Sequence, residues 1–233
     1  MRNTLALAVL LAIALSPLPA ETRWAAGEGL APRVAVFLDF ENTPSIAAVE
    51  AMKREAGLAL DPAGARFFWL ILNGDAPSET FDDLAVLRFR GSCRADAAKT
   101  GPNSDRVTLG STEVAAHGVT SYGNVECDQL NSCLARELGA FCPGDRDEVF
   151  GRALGRVAAH ELFHVLGRTT EHSHKGLSKA LETPFDLIRK DFRFDRQAVL
   201  RLRRRLEPEG DPRIRALNPV GQTIGFRRLP GAE

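Results

Sequence analysis

The stretch "DEVFGRALGRVAAHELFHVLG", residues 147–167, decides how the rest of the chain is read. Its apolar residues recur on helical spacing, it opens on Asp147 and Glu148, which suit the positive end of a helix dipole, and Gly167 stands as a terminator. The pattern predicts a helix from Asp147 to Leu166. Apolar residues occupy most faces, with Arg152 and Arg156 as one polar edge, so the helix is expected to lie largely buried. Gly151 and Gly155 lower helix propensity and permit close packing against another element.

Upstream, "RVAVFLDF" (33–40) reads as a buried strand, and "NTPSIAAVEAMKREAG" (42–57) as a helix packing on it. Thr43 is the expected cap, Pro44 the first helical residue and Gly57 the stop, with Ile46, Val49 and Ala56 on the packed face. "ARFFWLIL" (65–72) and "LAVLRFRG" (84–91) are further strands around the turn-forming "NGDAPS". Residues 92–113 read as a loop or a small ordered excursion, and "GVTSYGNVECDQL" (118–130) as an edge strand. Beyond the histidines, "TPFDLIRK" and "DFRFDRQAVLRLRRRLE" look helical, the arginines forming a solvated face. The class is α/β (α+β): a mixed sheet, a long helix carrying the site, and C-terminal helices.

At the N-terminus, Arg2 precedes eleven apolar residues, Leu5 to Leu15, followed by Ser16, two prolines and Ala20. Roughly 20 apolar residues are needed to span a bilayer, so a secretory signal peptide over 1–20 is expected rather than an anchor. Cleavage falls after Ala20, with Ala26 as second choice. The domain is placed at 33–206 and a flexible tail at 207–233. Lys plus Arg and Asp plus Glu both total 30, which excludes a whole-chain preference for nucleic acid or an anionic membrane surface. Cys93, Cys127, Cys133 and Cys142 in an exported chain predict two disulfides of undetermined pairing. A monomer of secreted or periplasmic location is expected.

Four of the five histidines lie between positions 160 and 174. In "HELFH", His160 and His164 are four apart, so on a helix both imidazoles leave one face and reach one ion. Glu161, beside them, is placed to act as a general base on a metal-bound water without being a ligand. Two ligands, a base and an open position are what a hydrolytic zinc site needs. The third ligand is sought after Gly167: His172 is favoured, with His174 or a more distant carboxylate, Glu182 or Asp186, as alternatives. His117 is isolated and reads as a surface residue.

"HELFHVLG" followed by a histidine resembles the metzincin zinc peptidases, whose motif is HExxHxxGxxH; His160, Glu161, His164 and Gly167 match it position by position. Thr170 stands where that motif has its third histidine, and His172 comes two residues later. The run "HSHKGLSK" also resembles metzincin-like proteins with a histidine twelve residues after the first and then G-I-M, where His172 and Gly176 match and Ser178 replaces the methionine. The resemblance implies a Zn2+ metalloendopeptidase with His160, His164 and His172 as ligands, Glu161 as base and a peptide or protein substrate. It further implies that "GVTSYGNVEC" lines the cleft as the strand pairing with substrate, and that Tyr122 donates to the oxyanion. Two other readings remain open: an exported zinc-binding module without turnover, and a zinc amidase or deacylase acting on a non-peptide substrate.

Overall fold

A computed structural model describes residues 31–72, 79–96 and 107–207. The expected signal peptide, the "NGDAPS" turn and the tail from 208 onward lie outside the described residues. In chain order the elements are β1 (Arg33–Phe40), α1 (Ile46–Leu60), β2 (Arg66–Ile71), β3 (Asp83–Arg90), β4 (Gly110–Ala115), β5 (Gly118–Glu126), α2 (Cys127–Gly139), α3 (Pro143–Gly167), α4 (Pro184–Ile188) and α5 (Arg196–Leu206). The expected mixed α/β class holds.

The five strands form one sheet in the order β2-β1-β3-β5-β4. β1 pairs in parallel with β2 and β3, β3 pairs in parallel with β5, and β4 is antiparallel to β5. β5 is therefore interior. The edge beside it is β4, drawn from the end of the stretch expected to be loop. A two-residue turn at Ala116 and His117 joins the pair, and His117 is exposed there as expected. The run "CDQL", expected to continue the strand, instead opens α2, which the sequence reading missed. Leu130, Leu134 and Leu138 recur one helical turn apart along it, and all three are fully buried.

Two expected helix ends move. α1 is capped by Ser45, whose hydroxyl accepts from the Ala48 N–H, and not by Thr43; Ile46 then falls on the solvent side, 82 % exposed. The helix runs through Gly57 to Leu60, and the left-handed residue is Gly64, after a 3-10 turn at Asp61–Ala63.

α3 is the central packing element, buried from Val149 to Gly167 apart from Arg152 and His160. Its contact with α1 explains the two interior glycines. A Cβ at Gly151 would stand 2.4 Å from the Ala48 carbonyl oxygen, and one at Gly155 would stand 2.6 Å from that of Met52. The backbones touch where a side chain would separate them. Val34, Val36 and Leu38 of β1, Leu87 of β3 and Val125 of β5 complete the core, all fully buried. Each contributes roughly 1.5–3 kcal/mol if large and aliphatic.

Arg156 departs from the expected polar edge. Its side chain is wholly buried: Nε donates to Glu55 Oε1 at 2.9 Å and Nη1 to the Asp186 carbonyl at 2.6 Å. Arg193 donates to the same Glu55 oxygen at 2.7 Å. One buried ion pair thus ties α3 to α1 and to the segment after α4. The cysteines also differ from expectation: Cys93 and Cys127 are disulfide-bonded across 5.0 Å between Cα atoms, while Cys133 and Cys142 are free thiols. Among the described residues no helix is long and apolar enough to cross a membrane.

Candidate metal centre

His160 and His164, one turn apart on α3, face each other with their Nε2 atoms 3.1 Å apart, and His172 Nε2 lies 3.2 Å from His164 Nε2. The three donor atoms all fall within 4.8 Å of one another. Four ligands at 2.0–2.1 Å around a tetrahedral zinc ion stand about 3.3 Å apart, so the spacing and the all-imidazole donor set fit Zn2+ with one position open. Of the candidates for a third ligand, the structure brings His172 into the cluster. His174 is exposed and outside it, and Asp186 is turned to Lys179 and to the Thr183 cap of α4.

The ring orientations are set from behind. His160 Nδ1–H donates to the Leu177 carbonyl at 2.7 Å and His164 Nδ1–H to the Thr169 carbonyl at 2.8 Å, which leaves both Nε2 lone pairs aimed into the cluster. Burial, reinforced by the neighbouring His164, pushes His160 down to about 4, and burial also lowers His164. Both rings are neutral near pH 7, the form a metal takes.

Between the helix and His172 the chain reverses at Arg168, which is left-handed (φ 47, ψ 49), while Gly167 stays within the helix. The expected glycine turn is therefore made one residue later, by an arginine. The Thr169 N–H then donates back to the His164 carbonyl at 3.1 Å. Arg201 of α5 holds this reversal from outside, donating to Thr169 Oγ1 at 2.6 Å and pairing with Glu171. Removing such outer support costs metal sites about 10- to 100-fold in affinity. Arg201→Ala is expected to weaken zinc binding within that range with little change in the melting temperature of the metal-free protein, as measured by competition with a chelating dye.

After His172, a short loop closes on itself. The Ser173 N–H donates to the Ser178 carbonyl at 2.9 Å, and the two hydroxyls lie 2.8 Å apart. Ser178, at the position where the resemblance calls for methionine, is completely buried. Gly176 is required here: its φ is 71°, and a Cβ would stand 2.7 Å from the Arg193 carbonyl oxygen. The loop's product is the Leu177 carbonyl beneath His160.

Glu161 lines the same cleft, of about 660 Å³, together with the three histidines, β4 and residues 179–183. Its carboxylate accepts from Thr112 Oγ1 of β4 at 2.7 Å, and burial pushes it up to about 7 despite that bond. Gly110 makes room for it, since a Cβ there would stand 2.5 Å from Glu161 Oε1. Gly110 and Thr112 escaped the sequence reading because they lie in the stretch taken as loop. Glu182 is also in the cleft wall, pushed up to about 8 by burial, but it is not among the clustered donors.

Tyr122 is not brought to the site. Position 123 faces α3, where a Cβ on Gly123 would stand 3.2 Å from Glu161 Cβ, so its strand neighbour Tyr122 points to the opposite face of the sheet. There the Arg88 guanidinium lies 4.7 Å from the ring centre. The strand along the cleft is β4 rather than "GVTSYGNVEC".

No protein-family model matches the chain, and no curated protein does either. Two solved structures are similar in shape. One is an archaemetzincin from Methanopyrus kandleri, 12 % identical, with a TM-score of 0.45 over 78 % of this chain and 99 % of that one. The other is a zinc-dependent peptidase from Methanocorpusculum labreanum, 12 % identical, with a TM-score of 0.45 over 72 % of this chain and 99 % of that one. Likeness at this level carries neither an activity nor a ligand over to this chain.

Proposed function

We propose that this chain is an exported, monomeric zinc-dependent metallopeptidase in which His160, His164 and His172 hold the metal and Glu161 is the general base. The observation that carries the proposal is the convergence of three imidazole Nε2 atoms with a buried, independently held carboxylate in one cleft. A zinc ion there would supply Lewis acidity and lower the pKa of water to about 7.

Glu161 takes a proton from the attacking water and passes it to the leaving amine as the peptide bond breaks. Thr112 fixes the carboxylate so that one oxygen stays committed and the other is available for that transfer. A carboxyl raised toward 7 by burial is suited to this exchange, since it gains and loses a proton with little bias near neutral pH. β4 favours a peptide as the substrate. It is the terminal strand of the described sheet and lines the cleft, so its outer backbone groups are placed to pair with an extended chain.

Export is supported by the apolar run Leu5–Leu15 and by the Cys93–Cys127 disulfide. The test is metal analysis with a hydrolysis screen on the mature protein. One zinc per chain is expected, with cleavage of peptides that a chelator abolishes and added zinc restores. Zinc binding without cleavage of any member of a broad peptide library would leave the chain a binding module or an amidase, and sink the peptidase proposal.

A further inference from the structure

Among the described residues, Glu182 is the one cleft carboxylate to which the proposed mechanism gives no task. Its side chain is 8 % exposed, its Oε1 is buried without a hydrogen-bond partner, and that same atom lies 3.9 Å from His160 Nδ1. Cations near it are committed elsewhere: Lys179 is held by Asp186, and Arg156 by Glu55. A buried carboxylate oxygen without a partner is costly to keep, and such groups persist where a charge arrives to meet them.

We infer that Glu182 stabilises the zinc-loaded site through its charge, its carboxylate offsetting the positive charge that reaches His160 when zinc binds. The inference rests on the zinc site proposed above. The Leu177 carbonyl already takes the Nδ1–H at 2.7 Å, so ring orientation and tautomer are set without Glu182. What a carbonyl dipole lacks is net charge. An imidazole bound to a dication becomes cationic in character, and in a buried setting an anion at ion-pair distance stabilises that state. Before metal arrives, the nearby cations are shared with Asp186 and Glu55, so a charge on Glu182 costs more in the empty site than in the filled one.

Two opposite effects follow from one substitution. Glu182→Gln keeps the shape and removes the charge. In mildly alkaline buffer its zinc affinity, read by competition with a chelating dye on the full mature chain, is expected to fall about 10-fold or more. The melting temperature of its metal-free form is expected to match or exceed that of the wild type, because an uncompensated buried carboxyl has been replaced by a neutral amide. Glu182→Met, also neutral and of similar length, is expected to show the same weakening and serves if the glutamine variant is poorly folded. Unchanged zinc affinity in both variants overturns the inference and leaves the zinc site standing. A lowered metal-free melting temperature that accompanies the affinity loss also overturns it, since Glu182 would then be structural. If the wild type itself takes up no zinc, the site and the inference fall together.

Discussion

Glu161→Gln is expected to lower kcat for peptide hydrolysis by about 10³-fold while the protein still binds one zinc ion. General acid–base transfer contributes roughly 10²- to 10⁴-fold, and glutamine cannot accept the proton from water at all. The amide is isosteric with the carboxyl, so the oxygen that accepts from Thr112 Oγ1 is retained and β4 keeps its place against α3. The three histidines are untouched. Zinc stoichiometry, set beside turnover on the same sample, checks the expectation: activity lost with metal retained assigns the base, whereas metal lost along with activity would make Glu161 part of the binding shell.

The second large effect concerns stability. Arg156→Met fills a similar volume but strips the guanidinium from a fully buried site. It leaves the Asp186 carbonyl without the donor it has at 2.6 Å and leaves Glu55 with Arg193 alone. Breaking a buried pair from one side costs about 3–5 kcal/mol, because the remaining charge keeps its desolvation cost and loses its partner. Arg193 compensates part of this, so a loss of about 3 kcal/mol is expected, measured by urea unfolding of the metal-free protein. The double variant Arg156→Met with Glu55→Leu removes both charges and should recover part of that loss. If the double variant is no more stable than the single one, the cost lies in the carbonyl contacts and not in the stranded carboxylate.

Both sites lie on α3, and the sequence showed one of them far better than the other. His160, Glu161 and His164 were legible because their geometry is local. A helix fixes residues four apart on one face whatever surrounds it, and the apolar periodicity of 147–166 marked that helix clearly. His172 was favoured but not settled, since the path from Gly167 depends on a left-handed Arg168 and on Arg201 arriving from α5. Arg156 was misplaced for a related reason: helical phase put it on a polar edge with Arg152, but Glu55 and the 186–193 segment meet it there and make that edge interior.

The sheet shows the same division. β1, β2 and β3 carry dense runs of valine, leucine and phenylalanine and were read nearly to their ends. β4 and β5 are glycine-bearing and half exposed, so nothing in their composition says which is the outer strand. Pairing assigned it: β5 lies along β3, and β4 is left with Gly110 and Thr112 beside Glu161.

The sequence by itself thus determined the site-bearing helix, the two histidines and the glutamate clustered on it, and the first three strands, because each depends on spacing within a single element. The third histidine of the cluster, the carbonyls that hold the imidazoles, the strand along the cleft, the Cys93–Cys127 pairing and the buried Arg156 were decided only in the tertiary structure. Each of those requires two segments distant in the chain to meet, and hydrophobic burial and hydrogen-bond satisfaction select that meeting over the whole domain.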